Sequence, residues 1–129
     1  MTKKNINEVF NFLQSARMSR MKDDEKIQVI KLLRVMKPVA KDLQDAANDA
    51  AEKARAEYPD DMQKVIELVN KSMEDLANQE VVGVDTQVLT PDAFERLCLS
   101  NDWTFGQIDE LEQILVKPAT DDQNKKANE

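Results

Sequence analysis

Histidine is missing altogether, and cysteine occurs once, at Cys98. The first absence removes the commonest general base and the commonest transition-metal ligand together. The second excludes an internal disulfide and suits a reducing compartment. Glycine is confined to Gly83 and Gly106, and no phosphate-cradling or dinucleotide fingerprint is present. No apolar run approaches the ~18 residues that a membrane span needs, and no N-terminal run resembles a signal peptide. The chain is therefore expected in the cytosol, or in a particle assembled there. Internal repeats are absent too.

These gaps leave little for catalysis. A nucleophilic cysteine needs a partner base, and Cys98 has no imidazole to recruit, so beside Phe94 and Leu97 it reads as a small core residue. The acids occur as clusters at residues 23–25, 60–61, 109–112 and 121–122. Three of these four sit where a helix is expected to begin or in a tail, and capping and solubility account for them. The expectation is a non-enzymatic protein with no catalytic residue, metal ligand or cofactor. An enzyme would require carboxylates from separate helices to converge on a cation.

What the sequence does contain is charge, 33% of its 129 residues, and helical periodicity. Residues 24–57 hold no glycine and carry an apolar seam through Val29, Leu32, Leu33, Met36, Val39, Ala40, Leu43, Ala46, Ala47, Ala50 and Ala54. Spacings of three and four keep these on one face of a 3.6-period helix. A rod of ~50 Å is expected, with Asp23 as its N-cap. Pro38 should kink or break it, since proline has no amide and crowds the carbonyl of Arg34. Ile27, Ile30 and Val35 lie off the seam, so the early rod is expected to have two neighbours, one of them the first helix.

The flanking elements follow from local signals. A first helix is expected from Asn5 or Asn7 to about Arg17, with Ile6, Val9, Phe10 and Leu13 inward. A basic elbow carrying Arg17, Arg20 and Lys22 joins it to the rod. Tyr58 and Pro59 end the rod. Asp60 with Gln63 starts a third helix lined by Met62, Val65, Ile66, Val69, Met73 and Leu76, antiparallel to the alanine-rich half. Residues 79–89, with Val81, Val82, Gly83, Val84 and Val88, read as extended chain or a small hairpin strand. Thr90 and Pro91 start a fourth helix that turns Phe94, Leu97 and Cys98 inward. Thr104 and Gln107 form a capping box for a fifth, with Trp103 stapled to Ile108, and that helix is expected to bury Phe105, Ile108, Leu111 and Leu115. The fold class is all-α: about five helices around one long Pro-kinked helix at 24–57, with one short extended segment near 80–89. Residues 1–117 are expected to make a single domain, and 118–129 a disordered polar tail.

Net charge of −7 conceals a change of sign along the chain: residues 1–41 sum to +6 and residues 42–129 to −13. Such halves can neutralise each other within one molecule or face different partners. The cations Arg17, Arg20, Lys22, Lys31, Arg34, Lys37 and Lys41 could track phosphates, but few aromatics stand near them to stack on bases, and the acidic remainder would repel a polyanion. A solvated or paired face is the plainer reading, and nucleic acid is not the expected partner. Asp42, Asp45, Asp49 and Glu52 follow one helix side, the geometry for imitating a polyanion. The segment from Val81 through Val82 to Val84 suits strand addition. Candidate partner contacts are therefore Arg17, Arg20, Lys31, Arg34, Lys41, Val81, Val82 and Val84. The expected partner is a protein, either another copy of the chain or a different molecule.

The order of these signals carries a resemblance. A short helix with Phe10, Phe12 and Leu13 is followed by the elbow Ala16, Arg17, Met18, Ser19, Arg20 and the long rod. Leu68 to Leu76 then lead into Glu80, Val81, Val82, Gly83, Val84, Asp85 and a helix start at Leu89 and Thr90. Over residues 9–115 this resembles a family of small acidic proteins encoded by tailed bacteriophages and prophages, a family without an assigned function. Pro38 within the rod and the lack of a longer acidic loop after it depart from that pattern. The resemblance implies a phage-encoded accessory or structural, assembly protein, in the host bacterial cytoplasm or the virion. The alternative is a phage inhibitor of a host defence or nucleic-acid-binding protein, acting through its acidic surface. It implies no chemistry and no site residues.

Overall fold

The computed structural model describes residues 1–118; the expected tail beyond them lies outside the described residues. The fold is all-α, with five helices: α1 (Lys3–Leu13), α2 (Asp23–Glu57), α3 (Met62–Ala77), α4 (Pro91–Leu99) and α5 (Phe105–Leu115). The residues between Asn78 and Thr90 form no strand; isolated bridges pair Glu80 with Thr2 and Leu89 with Val116. The residues expected to make a single domain gather into two compact units, each assembled from separated stretches of chain.

One unit comprises Met1–Ser15 and Leu33–Val84. Its buried apolar residues are Ile6, Val9 and Leu13 of α1, Met36, Ala40, Leu43 and Ala54 of α2, and Val65 of α3. α1 begins and ends earlier than the sequence reading has it. Thr2, not Asn5 or Asn7, is the N-cap, its hydroxyl accepting from the Asn5 amide, and the helix stops at Leu13. Its start is held by Lys3 N–H donating to Gln79 O at 3.0 Å and Val81 N–H donating to Met1 O at 2.9 Å. Toward α2 it uses Asn7 and Asn11, whose carbonyls accept from Gln44 Nε2, later along the rod than expected.

α3 is capped by Asp61 rather than Asp60, because it is the Asp61 carboxylate that accepts from the Lys64 amide. Its inward face is centred near Val65, which leaves Met62 and Ile66 exposed at one edge. A cleft of about 390 Å³ separates the alanines Ala46, Ala50 and Ala54 from Leu68 and Ser72. Small side chains on α2 thus face α3 across a gap. At the loop following α3, Gly83 takes φ +86°, a left-handed conformation that suits glycine.

The other unit comprises Ala16–Leu32 and, among the described residues, 85–118. It buries Met21, Val29, Leu32, Leu89, Phe94, Leu97, Leu111 and Leu115. Thr90 and Thr104 cap α4 and α5 as their sequences announce, the latter in a complete capping box with Gln107. Phe105, expected inside, is 82% exposed, because the first residue of α5 points away from the face that buries Leu111 and Leu115. Leu89 and the end of α5 are clipped together by Leu89 N–H to Leu115 O at 3.0 Å and Lys117 N–H to Leu89 O at 2.8 Å.

α2 starts at Asp23, so Lys22 occupies the cap position expected of Asp23. There the Lys22 amide donates to Glu25 Oε1 at 2.9 Å, the half of a capping box that an acid three residues into a helix supplies. The helix runs without a break through Pro38 to Glu57, where Tyr58 N–H closes on Ala54 O. Arg34, whose carbonyl loses its donor, and Pro38 are both exposed, so water can take the missing bond. Pro38→Ala is therefore expected to stabilise the fold by about 1 kcal/mol, the lost proline penalty less the rigidity that proline gives the unfolded chain. Urea denaturation checks this as a rise in midpoint.

Candidate functional site

The apolar seam of α2 is turned inward, with Val29, Leu32, Met36, Ala40, Leu43 and Ala54 buried. At ~100° per residue, the opposite side of the helix carries Ile27, Lys31, Arg34, Pro38, Lys41, Asp45, Asp49 and Glu52 within about 40° of one line. All of these are exposed. Ile30 and Val35 flank the line on either side. The sequence reading gives the early rod a second neighbour over Ile27, Ile30 and Val35. Instead these side chains are 49%, 37% and 50% exposed. Alternation with Lys31 and Arg34 makes them one strip of mixed apolar and basic character. Isolated exposed aliphatics are ordinary on protein surfaces; these three lie on the outer side of the helix beside exposed cations.

The outer face changes sign at a sharp boundary. Along the line Lys31, Arg34 and Lys41 precede it, and Asp45, Asp49 and Glu52 follow. Lys41 Nζ reaches Asp45 Oδ2 at 3.8 Å, with the two side chains 67% and 61% exposed, a pair that water screens and that stabilises little. This face combines exposed hydrophobic area with patterned charge.

The other candidates fall elsewhere. Arg17 and Arg20 stand on the elbow, exposed, while its backbone is fastened to the end of α4. Arg17 N–H donates to Asn101 Oδ1 and Asn101 Nδ2 donates back to Arg17 O, both at 2.8 Å, and Arg20 N–H donates to Ser100 Oγ at 3.0 Å. Val81 and Val84 are half-buried, and only Val82, 93% exposed, is offered to solvent. Strand addition there has one edge already occupied, since Glu80 and Val81 pair with the first residues of the chain.

Two features of the second unit bear on chemistry. Cys98 lines a cleft of about 260 Å³ with Phe94, Ile108, Glu95 and Glu112. Burial first, then the neighbouring Glu112 and Glu95 carboxylates, pushes its thiol pKa up, so it stays protonated rather than thiolate. Glu25 is buried and accepts a two-pronged bond from the Arg96 guanidinium, Nε to Oε1 at 2.8 Å and an Nη to Oε2. The Arg96 fork, aided by the Lys22 amide, outweighs burial and lowers the Glu25 carboxyl from 4.5 to about 2. This pair joins α4 to the start of α2 and is structural in geometry, both carboxylate oxygens accepting from the Arg96 fork. Sequence reasoning places Glu25 in a first-turn acidic cluster and does not see Arg96, 71 residues away.

Among the described residues, no group of three or more His, Cys, Asp or Glu is placed to hold a metal ion, and no helix is long and apolar enough to cross a membrane. No family model matches the chain, and no curated protein and no solved structure matches it.

Proposed function

We propose that the chain acts by binding a protein partner through the outer face of α2, without catalysing a reaction. The observation that supports this reading is the exposed strip of Ile27, Ile30 and Val35 interleaved with Lys31 and Arg34. Its partner presents carboxylates to Lys31 and Arg34, since a basic partner would set like charge against them. Following the resemblance to phage-encoded proteins, the setting is an infected bacterial cell or the particle assembled in it, and the role that of an accessory or assembly component.

A second reading uses the acidic half of the same helix. Asp42, Asp45, Asp49 and Glu52 are exposed along one side, which favours an inhibitor that occupies the basic groove of a host defence or nucleic-acid-binding protein.

Substitution separates the two. Capture on immobilised full-length chain should yield a partner whose retention is lost with Arg34→Glu combined with Val35→Asp and is weakened by salt. Retention that survives this variant but is lost with Asp45→Lys combined with Asp49→Lys would instead establish the inhibitor reading. All four positions are exposed, so circular dichroism should show unchanged helix content.

A further inference from the structure

We propose that the occupant of the outer face of α2 is a second copy of the chain, lying antiparallel along the same face. This rests on the reading of that face as a docking surface and names its partner. Take the peptide bond between Lys41 and Asp42 as a centre and turn one copy about a two-fold axis through it. Arg34 then comes opposite Asp49 of the other copy and Lys31 opposite Glu52, while Lys41 keeps Asp45 of its own helix. Symmetry makes each of the two pairs twice, as in any self-complementary two-fold interface.

Ordinary helix chemistry does not require this arrangement. Favourable contacts within one helix come from acids and bases three or four residues apart, and only Lys41 with Asp45 makes such a pair on this line. Segregation of all the cations before the centre and all the anions after it forgoes further pairs of that kind. It creates a polarised face whose complement is itself reversed. A parallel copy would set cation against cation along the first half and anion against anion along the second, so like-charge repulsion excludes that orientation. Antiparallel alignment also sets each helix dipole against its neighbour's. Ile27 comes opposite Ala56, a small residue that leaves room for an aliphatic side chain, while Ile30 and Val35 come opposite the Lys53 stem and Asn48. Because the seam itself is charged, association should be salt-sensitive, with its charges screened once the Debye length falls to a few ångströms.

Light scattering and sedimentation of the full chain test this. At low ionic strength and rising concentration the mass should move from 14.7 kDa toward twice that value, and return to the monomer in about 0.5 M salt. Arg34→Glu and Asp49→Lys should each weaken self-association by about tenfold or more, because each reversal converts two attractions into repulsions. The double variant carrying both reversals should restore it, since the swapped charges again face each other. A chain that stays monomeric under all these conditions overturns the proposal, as does a dimer indifferent to Arg34→Glu or a charge swap that fails to restore association. Poly-glutamate serves as a control for the underlying reading. If the monomeric chain binds it and loses it on Arg34→Glu, self-docking is wrong and the face is still a docking surface. If neither forms, both readings fall.

Discussion

Leu97→Ala should lower the stability of the fold by about 3 kcal/mol, within the range for removing a large aliphatic side chain from a closed core. Leu97 is 0% exposed and sits near the end of α4, a helix of nine residues. Isolated helices that short are not stable in water, so α4 exists because Phe94 and Leu97 are buried. The truncation removes the apolar contact and leaves a cavity beneath a backbone that is tied in place. Ser100 N–H bonds to the carbonyls of Arg96 and Leu97, and Asn101 Nδ2 to the Leu97 carbonyl at 2.9 Å. Those ties limit how far the site can collapse to fill the space, which is what sets the cost of such a cavity. Equilibrium urea unfolding measures it as a lower midpoint at unchanged slope. A loss under about 1 kcal/mol would mean that α4 repacks freely, contrary to the fastening described above.

Glu25→Ala is the second large effect, about 2 kcal/mol at neutral pH, since it strips charge-assisted partners from the Arg96 guanidinium and the Lys22 amide at once. Replacing both members by apolar residues should cost less than removing one, because no half of the pair is then left without its partner. The pH dependence has a definite sign. A carboxyl whose pKa is lowered on folding contributes stability that is present above its unfolded value and lost as pH falls through its folded value. For Glu25 that window runs from 4.5 down to about 2. Thermal unfolding of the wild type and of Glu25→Ala, followed across this window, should converge as the pH falls. Curves that stay parallel would show that the Arg96 fork does not hold the proton off Glu25.

Local signals were legible wherever one residue type satisfies one backbone need. Thr90 before Pro91, Thr104 with Gln107, and Tyr58 before Pro59 mark helix ends through bonds made within a few residues, and the helices begin and end there. The same logic misplaced the caps of α1, α2 and α3, where several neighbouring polar side chains compete. Thr2, Lys22 and Asp61 hold those positions because the turn geometry lets one particular oxygen, or one particular amide, reach its partner. Periodicity identified the seam of α2 and its opposite face. It could not tell that Ile27, Ile30 and Val35 lack a covering element among the described residues, nor that Phe105 at the first turn of α5 looks outward.

Residue order alone thus determined that the chain is helical, where its helices other than α1 lie to within a turn, and that α2 has an inward apolar line and an outward charged one. These follow from spacing and from bonds that close over three or four residues. Tertiary structure alone decided the division into two units, each gathered from separated stretches of chain, the joining of Glu25 to Arg96, and which aliphatic side chains are left uncovered. The reason is distance along the chain. A contact between residues 71 apart is selected by the free energy of packing whole elements together, and no periodicity or composition within either element encodes it.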